Sequence, residues 1–476
     1  MYMQRWHRHC LPPDRGHRSW LQRDHSCDTD TADCWRSDLT TAAMLVRVTD
    51  DPVVAALSEV AAIMFPTVYT PDIQVGPTYL PNPEVVRQIY VDENADAAYA
   101  RSVDAIGCDP ALAPLLGEGE QHGSWLSGAI ISSDVGRSWL IQSRTFLPGT
   151  FVQNAARLAV AKGLPTDSLE PLLGELGPLV LSVRRLVAGE SDEVPVLMAF
   201  HGIGIAEGTR LATPWGLLRP PFPSEREQRP FGSLSPSAIL ETTLPLRWKL
   251  GEHDASISGE FAAVGTHPDL LALTALLALG RSTPLQWLWQ ATLVPLQAPG
   301  NEYVGGAMGP SWSEPPAPDP LAEEQANGLV VWADRVARFY HPSIAVAMRR
   351  TLSAVAERSS SAEDTLIDAV IAWENLFGTG GTSEMTFRVT TALALLLEPD
   401  PTSRAALRKE LSKVYDLRSK VAHGGEVKPK DHLDGRKDRA IDVAIEALRA
   451  LFEMHPSLLS EPERGMRLIL GLPGND

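Results

Sequence analysis

Cysteine is scarce in this chain: Cys10, Cys27, Cys34 and Cys108 are the only four in 476 residues, and three of them precede position 35. A disulfide framework is therefore excluded. Long apolar runs are missing as well. The longest candidates, "LLALTALLALG" from Leu270 and "TALALLL" from Thr391, fall short of the ~18 residues a membrane-spanning helix needs. No apolar signal-peptide core opens the chain, so a cytoplasmic protein without a membrane partner is expected. Positive charge is the third deficit. Lys and Arg number 42 against 59 Asp and Glu, for a formal net charge of −17, which argues against coating duplex DNA, because that needs a basic face along the surface.

Motifs for metals and cofactors are missing too. His7, His9, Cys10, His17, His25, Cys27 and Cys34 crowd into the first 43 residues and invite a zinc reading, yet no C-x₂-C or H-x₃-H pair occurs among them. Residues 1–43 also lack helical or strand periodicity. They read as a disordered or non-native extension of a chain that starts its regular pattern at Met44. Gly202, Gly204 and Gly208 in "HGIGIAEGTRLATPWG" fit neither the dinucleotide fingerprint nor the phosphate loop, and a strand pair with glycine turns is the better reading. No cofactor and no metal are expected.

What is present describes folded protein: 44% apolar and 21% charged residues, over a length that exceeds the ~250 to 300 residues at which single cores stop growing. The sequence predicts an α+β multidomain chain. Residues 44–300 mix helical stripes (52–65, 151–163 and 168–189) with β-rich runs bounded by Gly or Pro (138–147, 194–205, 238–250 and 287–296), as in an α+β domain whose sheet carries helices on at least one side. Residues 301–325 concentrate Pro and Gly and read as a linker. From 326 to 458 the pattern is helical, and 459–476 read as a C-terminal tail.

The helical stripes run through Leu329, Trp332, Val336 and Phe339; Ile344, Met348, Leu352 and Val355; and Leu366, Val370, Trp373 and Phe377. Ser361 with Asp364 resembles a capping box. A fourth helix is expected from about Ser383 to Leu397, a fifth over about 404–422 with Ser403 as N-cap, and a sixth through Ile441, Ile445, Leu448 and Phe452. Short connections imply an antiparallel bundle.

The fifth helix carries the informative stretch, "YDLRSKVAHGG" (415–425). Leu407, Leu411, Val414, Arg418 and Val421 recur every three or four residues and so share a face. Arg418 stands where a Leu would stabilise the bundle, and a guanidinium there demands an acidic partner or an anionic ligand. Glu374 and Glu384 are the structural candidates, with Arg388 four residues beyond the latter. His423 follows Arg418 by five residues, about 140° away on an ideal helix, and Gly424 with Gly425 allows the helix to end there and turn the ring. An imidazole at that terminus faces the negative end of the helix dipole and is suited to donate a proton.

This stretch resembles the R-x₄-H signature of the HEPN superfamily, nearest its Apea-like branch. "AWENLFGTGGTSEMTFRVTTALALLL" (372–397) is similar to the branch's first core helices, and the resemblance covers roughly 325–455. It implies a helical bundle that dimerises with its R-x₄-H helices facing each other and often acts as a metal-independent endoribonuclease. Arg418 and His423 carry over directly as catalytic residues, and Ser419 takes the polar position after the Arg. RNA supplies its own nucleophile in the 2′-OH; His423 would shuttle the proton and Arg418 would stabilise charge on the phosphate. A second class stays open, in which the pair holds a nucleotide or phosphate, or only orders a dimer, without catalysis.

Local charge agrees with an RNA-facing role. Between Thr402 and Ala440 eleven Lys and Arg stand against six Asp and Glu. Lys420 and Lys428 are candidate substrate contacts, either as a phosphate-attracting rim or as a solvated loop. Tyr415 could stack on a base or belong to the core.

Overall fold

The computed structural model describes residues 50–68, 93–116, 130–133, 138–140, 147–165, 167–227, 234–250, 267–280, 285–297, 303–305, 317–356, 361–378 and 384–472. The chain divides into two units, Met1–Asp51 and Pro52–Asp476. Nearly all of the first, with the expected extension and the zinc reading, lies outside the described residues.

The second unit is mixed α and β, with a helix-rich C-terminal region. Helices α1 (Pro52–Val68), α2 (Glu93–Cys108), α3 (Leu147–Ala161) and α4 (Glu170–Val187) lead into a six-stranded antiparallel sheet. Its order is β4 (Leu211–Thr213), β5 (Gly216–Arg219), β6 (Ala238–Leu246), β3 (Asp192–His201), β8 (Gln286–Thr292) and β9 (Tyr303–Gly305). A smaller sheet sets β1 (Ile130–Ser133) between β2 (Ser138–Leu140) and β7 (Trp248–Leu250). The run expected as one strand over 238–250 is thus two, interrupted at Arg247, and its two pieces serve different sheets.

Period-two alternation sorts the central strand. Val196, Met198 and Phe200 join the large core, whereas Leu197 and Ala199 pack with Ile239, Leu288, Trp289 and Ala291 on the other face. Against the large core lies α5 (His267–Leu279), in which Pro268 and every residue from Leu270 to Leu277 are buried. A helix apolar around its whole circumference must be enclosed, and α5 is enclosed between the sheet and the helices that follow.

Those helices are α6 (Glu323–Phe339), α7 (Ala345–Ala356), α8 (Ala362–Phe377), α9 (Met385–Leu397), α10 (Pro401–Ala422), α11 (Leu433–Met454) and α12 (Arg464–Leu470). One continuous set of buried side chains runs from Met198 and Phe200 on the sheet through Leu273 to Trp332, Trp373, Leu411 and Phe452. Sheet and helices therefore share a core.

Three boundaries differ from the sequence expectation. Within the Pro/Gly-rich 301–325, Tyr303–Gly305 pairs with β8, and Pro320 bridges in parallel to Gly204; main-chain pairing tolerates a composition that side-chain periodicity cannot reveal. At Gly204 a Cβ would lie 2.6 Å from the carbonyl oxygens of Pro318 and Asp319, so this close approach needs glycine. The N-cap of α10 is Asp400 rather than Ser403: its carboxylate accepts from the Ser403 amide at 2.7 Å, and Pro401 occupies the first turn. Finally, much of the expected tail is docked. Arg464, 2% exposed, donates to the carbonyls of Leu458 (3.1 Å), Leu459, Asn375 and Leu376 (each 3.2 Å) and to Ser343 Oγ (2.5 Å). Two of these acceptors are at the C-terminal end of α8, where unsatisfied carbonyls favour a cation. Burial lowers the Arg464 pKa, yet a guanidinium stays charged at any working pH.

Candidate functional site

The site grows from two helix ends. In α8, Ser361 accepts from the Asp364 amide at 3.2 Å as expected of the cap, and Trp373 donates its indole N–H to the Ala440 carbonyl at 3.1 Å, fixing α8 on α11. The next residue, Glu374, thereby faces α10. In α10 the buried residues are Leu411, Val414, Tyr415 and Leu417. Leu407 and Val421 pack only partly against the core, and Arg418, its side chain 23% exposed, lies at the margin of the stripe rather than within it. The expected burial of Arg418 is corrected accordingly: the apolar face is centred on Val414 and Tyr415.

Glu374 receives two donors from α10. Tyr415 Oη donates to Oε1 at 2.5 Å, and Arg418 Nη2 donates to Oε2 at 3.2 Å. Burial, reinforced by Glu374, pushes the Tyr415 phenol up from its ordinary value, against a smaller lowering by Arg418; the hydroxyl stays a donor throughout the physiological range. Of the two acidic candidates, Glu374 is the partner of Arg418. Glu384 is exposed at the N-cap of α9 with φ 63°, and its carbonyl accepts from the Arg388 amide at 3.0 Å.

The helix ends in a Schellman motif. Gly424 donates to the Val421 carbonyl at 2.9 Å and Gly425 to the Lys420 carbonyl at 2.8 Å. Gly424 has φ 70°, and a Cβ on Gly425 would meet Lys420 Cγ at 2.8 Å and its carbonyl oxygen at 2.9 Å. The glycine pair is thus explained by helix termination alone. His423 is the C-cap: its amide donates to the Ser419 carbonyl at 3.1 Å and its side chain is exposed. Among the described residues no hydrogen bond joins His423 to Arg418.

No family model, curated protein or solved structure matches this chain.

The basic surplus around the motif is largely engaged within the chain. Lys420 Nζ meets Asp431 Oδ2 at 2.8 Å, and the same oxygen accepts from the Lys428 amide at 2.8 Å, folding the loop back on the helix end. Arg404 caps the carbonyls of Glu398 and Pro399 at 2.8 and 2.7 Å, Arg436 donates to the Lys413 carbonyl at 3.0 Å, Lys437 pairs with Asp434 at 3.0 Å, and Arg439 with Glu410 at 2.9 Å. Lys428 is exposed beside an open depression of about 600 Å³ lined by Glu363, Val427, Pro429, His432, Leu433, Asp434 and Gly435. The rim there is of mixed sign. Lys420 is therefore an internal brace, and Lys409, Lys413 and Lys428, with Arg408 over the Phe387 ring, are exposed cations among the described residues.

Arg418 is less well satisfied than the two most fully paired buried arginines. Arg219, 1% exposed, makes a two-pronged pair with Glu225 at 2.6 and 2.7 Å and reaches Glu241 at 2.5 Å, and Arg464 has the five acceptors described above. Arg418 makes a single long contact to its carboxylate, and its buried Nε has no partner among the described residues. Sequence reasoning missed Arg219, whose acids Glu225 and Glu241 come together only through the turn of the chain between strands, and Arg464, whose acceptors are mostly main-chain carbonyls that leave no residue-type signature.

Proposed function

We propose that this protein is a metal-independent endoribonuclease of HEPN type, working in the cytoplasm as a homodimer in a role of the defence or toxin kind. The observation that carries the reading is the under-satisfied guanidinium of Arg418. A donor left without an acceptor in a partly buried position carries a desolvation cost, and a phosphate oxygen relieves it with a charge-assisted bond. His423 supports the same reading: exposed at the helix terminus, it is free to meet a substrate or a second copy of the chain.

In the proposed reaction the ribose 2′-OH attacks the adjacent phosphorus and the bond to the 5′ oxygen breaks. The products are a 2′,3′-cyclic phosphate and a 5′-hydroxyl end. His423 carries the proton, taken from the 2′-OH or delivered to the leaving oxygen, a role typically worth ~10² to 10⁴ in rate. Arg418 offsets the charge that develops on the phosphate oxygens. Ser419 and Lys428 stand close enough in sequence to contact flanking nucleotides, whereas Tyr415 and Lys420 act within the chain.

The Glu374–Arg418 ion pair favours a second reading, a HEPN bundle that binds a nucleotide or RNA, or only dimerises, without cutting. Cleavage of labelled single-stranded RNA in EDTA separates the two. The nuclease reading expects cutting that persists in EDTA, leaves cyclic phosphate ends, and falls by at least ~10² in both His423→Ala and Arg418→Ala. No cutting across varied RNAs, with nucleotide binding or dimerisation lost in the same variants, selects the second.

A further inference from the structure

Glu374 divides its two oxygens unequally. Tyr415 holds one at 2.5 Å, a short bond for a phenol on a carboxylate, while Arg418 reaches the other only at 3.2 Å and through one nitrogen. More exposed pairs such as Arg335–Glu453 and Arg226–Glu207 also stay at 3.2 and 3.4 Å, but better buried ones close further: Arg184 meets Asp109 through Nε at 2.9 Å and Nη2 at 2.6 Å, and Arg219 grips Glu225 with both Nη atoms. A half-buried Glu and Arg facing each other without restraint would be expected to close into the same two-pronged geometry, which matches the shapes of carboxylate and guanidinium. Tyr415 and Arg418 are three residues apart, one helical turn, and approach the carboxylate from adjacent positions on α10.

We propose that Tyr415 is a positioning residue that holds the Glu374 carboxylate back from Arg418 and so keeps the guanidinium available to an RNA phosphodiester; this rests on reading Arg418 as the phosphate-binding group. The carboxylate is the resident anion of the site. When a phosphate arrives, Arg418 exchanges one weak contact for a stronger one, and Glu374 is not left unpaired because the phenol still donates to it. The raised pKa of Tyr415 secures that donor at any pH where RNA is cut. Without the hydroxyl, Glu374 would have Arg418 alone and would compete fully with the phosphate.

The test is a double-mutant cycle on the full chain, with fluorescently labelled, 2′-O-methylated single-stranded RNA as a probe that cannot be cleaved and anisotropy read at fixed ionic strength. Tyr415→Phe is expected to weaken binding on the order of tenfold, the weight of a charge-assisted hydrogen bond. Glu374→Gln is expected to tighten it by a similar factor, and Tyr415→Phe in the Glu374→Gln background is expected to change nothing. Equal weakening in both backgrounds would mean that the hydroxyl only supports the fold, and overturns the proposal. No effect of Tyr415→Phe with Glu374 in place overturns it equally. Should Tyr415→Phe not fold, Glu374→Gln decides alone, since unchanged or weaker binding contradicts a competing carboxylate. Arg418→Ala separates the two layers: if the wild-type protein binds no probe, or binds it undiminished in Arg418→Ala, the phosphate-binding reading of Arg418 falls and the role of Tyr415 falls with it.

Discussion

At the scale of single residues, short polar side chains at helix ends decide where α10 begins and hence where Arg418 faces. Asp400 is the clearest case. Bonds from the Ser403 backbone, then its hydroxyl, hold the Asp400 carboxyl below the usual carboxylate range. The native state therefore binds this proton less tightly than the unfolded chain, and the charged cap stabilises the fold above the ordinary carboxylate pKa. Asp400→Ala is expected to unfold at lower temperature than the wild type at neutral pH. The charge-dependent part of that gap should narrow as pH falls below the ordinary range and vanish below the native-state value. Thermal unfolding of both proteins over a pH series checks this, and a gap constant into acid would contradict it. The sequence offered Ser403 for this cap because both types serve; only the backbone geometry, with Pro401 in the first turn, distinguishes them. Arg418 was legible as an arginine in need of an acid and Glu374 as a candidate, since both facts follow from spacing. The division of Glu374 between two donors was not legible, because it depends on tenths of an ångström between helices remote in sequence.

At the scale of elements, the C-terminal end of α8 is a junction. Glu374 serves α10, Asn375 Oδ1 accepts from the Ala347 amide at 3.0 Å to cap α7, and the carbonyls of Asn375 and Leu376 meet Arg464. Helix α12 seats here because Gly465 leaves room: a Cβ would lie 2.3 Å from the Phe377 carbonyl oxygen and 3.0 Å from its carbon. Gly465→Ala should therefore lift α12 and cost about 1 to 3 kcal/mol, the usual range for overpacking, with faster amide exchange at both 374–378 and 464–470. Gly424→Ala is the useful contrast. It adds a side chain into open space at φ 70°, so it should cost about 1 kcal/mol of local strain and leave exchange at 374–378 unchanged. Helices with strong stripes were readable from the sequence, as was β3. The docking of α12 was not, because a short helix anchored through one arginine on main-chain carbonyls has no periodic signature.

At the scale of the whole molecule, α5 joins the sheet to the bundle. The sequence marked 301–325 as a place to divide the chain because composition is local, while the shared core is assembled from α5, α6 and the inner face of β3. The proposed nuclease also has a requirement at this scale. If the proposed dimer sets Arg418 of one copy beside His423 of the other, the site is composite. Mixing inactive Arg418→Ala with inactive His423→Ala under exchange conditions should then restore part of the RNA cleavage, because each mixed dimer regains one intact pair. Two inactive variants that stay inactive when mixed, with subunit exchange shown independently, would place both residues in a site built by a single chain. No helix among the described residues is long and apolar enough to cross a membrane.

The grip of Arg464 on the end of α8 has a consequence for synthesis. Arg464 lies 89 residues after Asn375, and at ribosomal speeds of about 5 to 20 residues per second that stretch takes several seconds to make. During that interval the carbonyls of Asn375 and Leu376 lack the guanidinium that meets them in the folded chain. A nascent chain thus carries an unfinished junction beside Glu374 until Arg464 has been made and docked.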